Sequence, residues 1–404
     1  MNMKLKKLGT CCLILLMAFS SIPASYAAET GSDAAAASSA ESTQTTSKNV
    51  TETVAGLEFT GPTINLSLDQ ALTEAMTSGA SIKAAEAQKQ SDAANAKSNS
   101  ESASSMNKTN NNSNSDNTYS KSELDKARKA SEYYTSMADR NYAAAKNTIT
   151  YNVTNAYYSL LNAEEEARIA AENEQLQKSL LTLVNQKLSL GVASKQDVLE
   201  AEINLNNAES SLYTAEVALA EKKITFNIEL GYDEMQDVNL TSTQKMVAMT
   251  GLSIDQAVSG ALANRNELYT CAFNIYSAEK ALENCKGYPK SSSKYLTAYS
   301  GLISAQNSYD AKDASIKKEV LINYSDIVSA QKSAENAKLS ADKAKESYSI
   351  YMTKYKLGMA TLDDVQESQI NYSDAEKTYS EAILKYNLAV ITYEMSATVG
   401  MNSN

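Results

Sequence analysis

The sequence predicts an all-α protein made of long antiparallel helical hairpins in two tandem repeats. Three observations predict it. The chain has 404 residues but only 3 Pro and 13 Gly, and the stretches 80–190, 192–230, 302–357 and 359–399 contain neither. Helix interiors exclude both residues, because Pro loses a hydrogen bond and Gly costs backbone entropy. Two motifs then recur along the chain, and the long Gly-free stretches carry apolar residues at alternating spacings of four and three. That spacing averages about 3.5 residues per turn, the coiled-coil period.

Residues 1–27 read as a secretory signal peptide. Lys4, Lys6 and Lys7 form a basic start, Leu8 to Ile22 is mostly apolar, and Ser25-Tyr26-Ala27 places small residues before a cut ahead of Ala28. The apolar run is shorter than the roughly 20 residues a membrane-spanning helix needs, which favours cleavage over an anchor. Leu8-Gly9-Thr10-Cys11 looks like a lipoprotein box, but almost no apolar segment precedes it, so lipidation is not expected. Residues 28–65 are rich in Ala, Ser, Thr and Glu without a sustained apolar face, and read as a low-complexity linker.

The first repeat is expected over 66–235. Ser67 with Gln70 forms a capping-box helix start, and a helix follows over about 68–97. The Ser/Asn-rich stretch 98–118 reads as an irregular connector. A long helix then runs from about Tyr119 to Leu190 and ends at Gly191, and a shorter one covers 194–230. Residues 236–251 link the repeats. The second repeat, 252–404, follows the same plan. Ser253 and Gln256 start a helix over about 254–285, Lys286 to Lys294 connects, a long helix spans about 295–357, and Gly358 leads to a helix over 361–397.

The duplication is legible residue by residue. Leu66-Ser67-Leu68-Asp69-Gln70-Ala71-Leu72 returns 186 positions later as Leu252-Ser253-Ile254-Asp255-Gln256-Ala257-Val258. Leu190-Gly191-Val192-Ala193-Ser194 returns 167 positions later as Leu357-Gly358-Met359-Ala360-Thr361, and Asp197-Val198 as Asp364-Val365. The seam of the second long helix runs Ile316, Val320, Asn323, Ile327, Ala330, Ala334, Ala337, Ala341, Ala344, Tyr348, Tyr351, Tyr355; that of the first runs Ile149, Val153, Ala156, Leu160, Ala163, Ala167, Ala170. Alanine allows close helix approach, and Asn323 would set register. Two short helices end to end match one long helix, so the chain is expected to give four columns about 100 Å tall at 1.5 Å per residue.

Chemistry is mostly excluded. There is no His, so no His-based nucleophile pair or His-ligated zinc is possible, and no phosphate-binding Gly loop, Cys cluster or metal-ligand set stands out. No catalytic, cofactor-binding or metal residue is expected. Glu164-Glu165-Glu166 reads as a solvated helix face. The net charge of −11 disfavours nucleic acid as a partner. Cleavage of the signal would remove Cys11 and Cys12. Cys271 and Cys285 read as residues of one helix, about 21 Å apart by its rise, too far to pair with each other; an intermolecular bridge stays open as a lesser alternative.

The signal peptide, the two halves, the Leu-Ser-Leu-Asp-Gln-Ala start and the Leu-Gly-Val-Ala-Ser…Asp-Val-Leu-Glu-Ala turn together resemble the TolC-like outer-membrane efflux proteins. The resemblance covers about 66–404. It implies a homotrimer closing a long α-helical barrel, whose helix-turn-helix tips meet a periplasmic adaptor that connects to an inner-membrane pump. On the matching positions, the tips are Leu190, Gly191, Val192 and Leu357, Gly358, Met359. Asp197 and Asp364, just after them, read as helix-start acids, and more weakly as acids of the channel mouth. The resemblance also implies a pair of pore-forming β-strands in each half. Neither 98–118 nor 286–294 has the 9–11 alternating residues a membrane strand needs, so no membrane β-barrel is expected. The Asn-Pro that often follows the first helix start is absent as well, with Gly79-Ala80-Ser81 and Arg265-Asn266-Glu267 near those positions. The function implied is that of an export conduit in the cell envelope, at or below an outer membrane or at the surface of a cell without one. A rigid coiled-coil spacer or adhesive protein of the envelope is the other reading.

Overall fold

A computed structural model describes residues 50–54, 56–111 and 119–401. The expected signal peptide and most of the expected linker lie outside them. Among the described residues the fold is all-α in its bulk, with short strands at one level and no barrel.

The elements in chain order are β1 (Val50–Val54), β2 (Leu57–Leu66), α1 (Leu68–Thr77), α2 (Ala80–Asn111), α3 (Lys121–Ser189), α4 (Lys195–Leu230), β3 (Gln236–Leu240), α5 (Ile254–Asn264), α6 (Asn266–Glu283), α7 (Ser293–Lys356) and α8 (Leu362–Ser396). The long helices α3 and α7 have 69 and 64 residues, about 104 and 96 Å at 1.5 Å rise. Each lies antiparallel to a column of its own repeat: α3 beside α1, α2 and α4, and α7 beside α5, α6 and α8. The first repeat joins the second where α3 packs on α6 and α8.

The helix starts follow the sequence. Ser67, Ser120, Ser194, Ser253 and Thr361 each cap the third residue of their helix, whose Gln, Glu or Asp side chain returns a bond to the cap nitrogen. The seam is the buried face. Ile149, Val153, Leu160, Ile316, Val320, Ile327 and Ala334 are all buried. The duplication extends to a pair of aromatic contacts. Tyr157 meets Phe226 edge-on at 5.9 Å between centroids, and its counterpart Tyr324 meets Tyr393 at 5.7 Å. Tyr157 Oη donates to Ser242 Oγ at 2.9 Å and Tyr393 Oη to the Leu252 carbonyl at 3.2 Å, so both hydroxyls hold the segment between β3 and α5.

The structure departs from the sequence reading in three places. The end of the expected linker forms strands. β1 pairs antiparallel with β2, and β2 pairs parallel with β3 inside the expected inter-repeat linker. Alternation there is short and broken by Gly61-Pro62, but Phe59, Leu66, Val238 and Leu240 are buried under the sheet. A buried pair, Lys223 Nζ to Asp237 Oδ1 at 3.0 Å, ties α4 to β3, and Thr63 Oγ1 donates to the other carboxylate oxygen at 2.5 Å. Second, the stretch expected to be irregular from Ser98 is helical up to Asn111. Ala103 is buried within it, and packing on α3 outweighs the low propensity of Ser and Asn. Third, the expected single helices 68–97 and 254–285 are each broken. The first breaks at Ser78-Gly79, and the second at Arg265, whose extended backbone (φ −62°, ψ 130°) starts α6. Cys285 therefore lies just past α6 rather than within Cys271's helix, and both thiols are free.

Candidate functional site: the helix-turn-helix tips

Both Gly-centred turns lie at one end of the molecule. Each is a Schellman turn. The Gly191 N–H donates to the Leu188 carbonyl and the Val192 N–H to the Lys187 carbonyl, both at 2.9 Å. In the second repeat Gly358 donates to Tyr355 at 3.1 Å and Met359 to Lys354 at 2.8 Å. Closing a helix this way puts the residue after the cap in the left-handed region, and Gly191 (φ 72°) and Gly358 (φ 73°) occupy it without a Cβ penalty.

The turn normally packs its last apolar residue on the helix three positions before the cap. Here that partner is lysine in both repeats, Lys187 and Lys354. The apolar residues are left in solvent: Leu190 is 76% and Val192 71% exposed, Leu357 70% and Met359 73%. Four large side chains without a cover at one end form a patch of the kind that marks an interaction surface.

The patch stands on a rigid base. Leu180 and Val184 of α3, Val198 and Ala201 of α4, Tyr355 of α7 and Leu362 and Val365 of α8 form one buried cluster directly behind both turns. The two tips are therefore one body. Lys187 locks them further. Its Nζ donates to the Tyr355 carbonyl at 2.9 Å and stands 3.4 Å from the centre of the Tyr355 ring. It gives that carbonyl a second donor beside the Gly358 N–H and answers the negative end of α7. Burial there pushes the amine's pKa below the ordinary lysine value. Sequence reasoning missed Lys187, since nothing local distinguishes it from the chain's other lysines.

Asp197 and Asp364 sit where expected, as helix-start acids. Asp197 accepts from the Ser194 N–H at 2.8 Å, and Asp364 from the Thr361 N–H at 2.8 Å and hydroxyl at 2.7 Å. The Thr361 bonds hold the Asp364 carboxyl below the usual carboxylate range. Beside them, Glu200 of α4 and Asp363 of α8 approach each other, and the second acid raises the pKa of Glu200. Away from the tips the α3–α8 contact is polar. Gln369 bonds both Gln177 and Asn173, and Asn162 Oδ1 accepts from Ser380 Oγ at 2.8 Å and Gln244 Nε2 at 3.1 Å. Among the described residues no group of three or more Cys, Asp or Glu could hold a metal, and no helix is long and apolar enough to cross a membrane.

No protein-family model matches the sequence, and no curated protein matches it. Solved structures do match by shape. The CmeC outer membrane channel of Campylobacter jejuni superposes with a TM-score of 0.65 at 13% identity, over 83% of this chain and 86% of that one. The outer membrane protein VceC of Vibrio cholerae gives 0.62 at 14% identity, over 83% and 96%. The open MtrE outer membrane channel of Neisseria gonorrhoeae gives 0.58 at 12%, over 83% and 91%. At such identities the likeness is one of fold. The helical hairpins, their duplication and their paired tips give this chain the fold of the TolC-type outer-membrane channels, with no barrel among the described residues.

Proposed function

We propose that this chain is the conduit subunit of a trans-envelope export system, working as a homotrimer and docking an adaptor through its tips. The adaptor would join it to an inner-membrane pump, and residues 1–27 would direct export to the cell envelope before removal. The chain would catalyse nothing and need no cofactor; transport would be driven by the partner. The observation that carries the reading is the exposed apolar patch of Leu190, Val192, Leu357 and Met359 on a base that locks both tips together.

The free faces of the chain support assembly with itself. Inside the chain α3 of the first repeat receives α8 of the second. The counterpart contact, α7 with α4, needs another copy. Exposed Leu199 and Tyr213 of α4 occupy the positions that in α8 are the buried Gln366 and Ser380, and exposed Leu321 and Val328 of α7 correspond to buried Thr154 and Leu161 of α3. One heterologous contact, repeated with a rotation that closes, makes a ring. In that ring Asp197 and Asp364 would stand at the proximal opening without leaving their caps.

The test is charge at the tips. Leu190→Asp with Leu357→Asp should abolish adaptor binding and export, while helix content and oligomer mass stay unchanged, because both side chains are mostly in solvent. Unaltered export by that variant would overturn the proposal and leave a rigid envelope spacer as the better description.

A further inference from the structure

We propose that the groove between α2 and α3 is a binding site for a linear, uncharged oligosaccharide. The site lies within one chain, so it depends neither on the homotrimer nor on adaptor docking.

The groove exists because α2 is built mostly from small and polar residues, while α3 opposite carries tyrosines. It has two wells. The first, about 420 Å³, is lined by Asn95 and Asn99 of α2 and by Tyr133 and Tyr134 of α3. The second, about 380 Å³, is lined by Gln88 and Lys89 of α2 and by Tyr142 and Asn152 of α3. Both fall within the about 300–1,000 Å³ of small-ligand sites. Asp92 and Asn141 line both wells, so the two form one trough. From Ser81 to Asn99 it follows α2 for about 27 Å by the helical rise. A ligand that fills it is a chain rather than one compact molecule.

The chemistry selects the ligand. Asp92 stands where the wells meet and accepts from Gln88 Nε2 at 2.8 Å and from Asn141 Nδ2 at 3.0 Å. Each carboxylate oxygen keeps a further lone pair. Gln88 Oε1 and Asn141 Oδ1 accept no hydrogen bond among the described residues. These acceptors call for donors, which hydroxyl groups supply. Tyr134 is exposed, yet its ring is held edge-on to Tyr133 at 5.2 Å, and Tyr133 is itself stacked on Phe273 at 4.2 Å. A ring held in solvent is a platform for the C–H face of a sugar, whose hydroxyls then reach the amides around it. Charge along the trough is balanced. Lys89 pairs with Asp139 at 2.9 Å, and Lys146, 5.7 Å from the centre of the Tyr142 ring, offsets Asp92. A neutral polyhydroxyl chain fits that balance better than an ion does.

The duplication shows that a hairpin of this kind does not need these residues. At the offsets of 186 for α2 and 167 for α3, Asp92 corresponds to Ala278, Asn95 to Ala281, Asn141 to Ser308 and Tyr134 to Gly301. α6 and α7 pack with those small residues in place. The first repeat alone carries an acid, amides and an exposed ring along the groove. A carboxylate between two helices costs desolvation that its amide partners only offset, so packing by itself gives no reason for it.

Isothermal titration calorimetry of the full chain with chitotetraose and with maltotetraose tests the site. At least one should bind, and Tyr134→Ala and Asp92→Ala should each weaken that binding about tenfold, the loss of one well-placed contact. Tyr299→Ala removes an exposed ring outside the groove and should leave binding unchanged. Tyr134 is in solvent, so its variant keeps the fold, which circular dichroism checks. Binding of neither sugar at millimolar concentration, or binding that survives Tyr134→Ala in folded protein, would overturn the proposal. A stronger response to spermine than to either sugar would overturn it as well, since the trough would then be a site for amines. None of these readouts involves the tips, so the conduit reading and this one can fail separately.

Discussion

The second helix of each repeat begins alike and ends differently. α2 has 32 residues, few of them apolar, and exposes Ala84, Ala87, Ser91, Ala94 and Ser98; α6 has 18 and carries Tyr269, Phe273 and Tyr276. Their positions explain the difference. α6 is held between α3 and α7 within one chain, so its side chains fill a gap whose two walls are always present. α2 meets α3 on one side and leaves its other side to solvent or to another copy. Duplicated segments thus diverge where their neighbours differ. They stay alike where their neighbours are alike, as at the tips and at the Tyr157–Phe226 and Tyr324–Tyr393 contacts.

That contrast can be broken or sharpened by mutation. The largest effects belong to the regions where the repeats agree. Phe226→Ala and Tyr393→Ala each remove a fully buried ring, and each should cost about 3–5 kcal/mol, read as a lower urea midpoint at unchanged slope. Near-equal losses would confirm that the duplication is energetic as well as geometric; a loss in only one would break the equivalence. A middle effect separates α2 from α6. Phe273→Ala should cost about 1–3 kcal/mol, because a half-buried stacked ring is lost. Ala87→Ser, 186 positions before it and exposed, should stay within about 0.5 kcal/mol. A comparable cost for Ala87→Ser would break the contrast between α2 and α6.

The smallest effect compares the tips with their pH dependence. Asp364 has its pKa lowered from 3.8 by its bonds to Thr361. A carboxylate with a depressed folded pKa adds stability above its unfolded pKa, and this is lost as pH falls through the folded value. Asp364→Asn should therefore lower the midpoint of thermal unfolding at neutral pH. The gap to the parent chain should close below about pH 4. A gap that persisted in acid would mean the cap acts through shape rather than charge.

Much of this could be read before any fold was known, and the reasons are local. Ser67 and Ser253 announce helix starts because a cap is decided by three or four neighbouring residues. Gly191 and Gly358 mark turns because only a residue without Cβ takes φ near 72° at no cost. The seam from Ile316 to Tyr355 shows itself as a period. The tips were legible for the same reason, and so were Asp197 and Asp364 as helix-start acids.

The rest depends on residues far apart in the chain. β2 finds β3 across more than 170 positions, and its broken alternation carries no signal of that partner. Ser98 to Asn111 is helical because α3 lies beneath it, which outweighs its own weak preference. Lys187 matters only because the second tip brings the Tyr355 carbonyl to 2.9 Å. The sequence by itself determined the long helices, their glycine-marked ends and the duplication, since these follow from spacing and from single-residue conformational preference. Tertiary structure decided the sheet, the length of α2 and the joining of the two tips, since each needs a partner that only folding brings near.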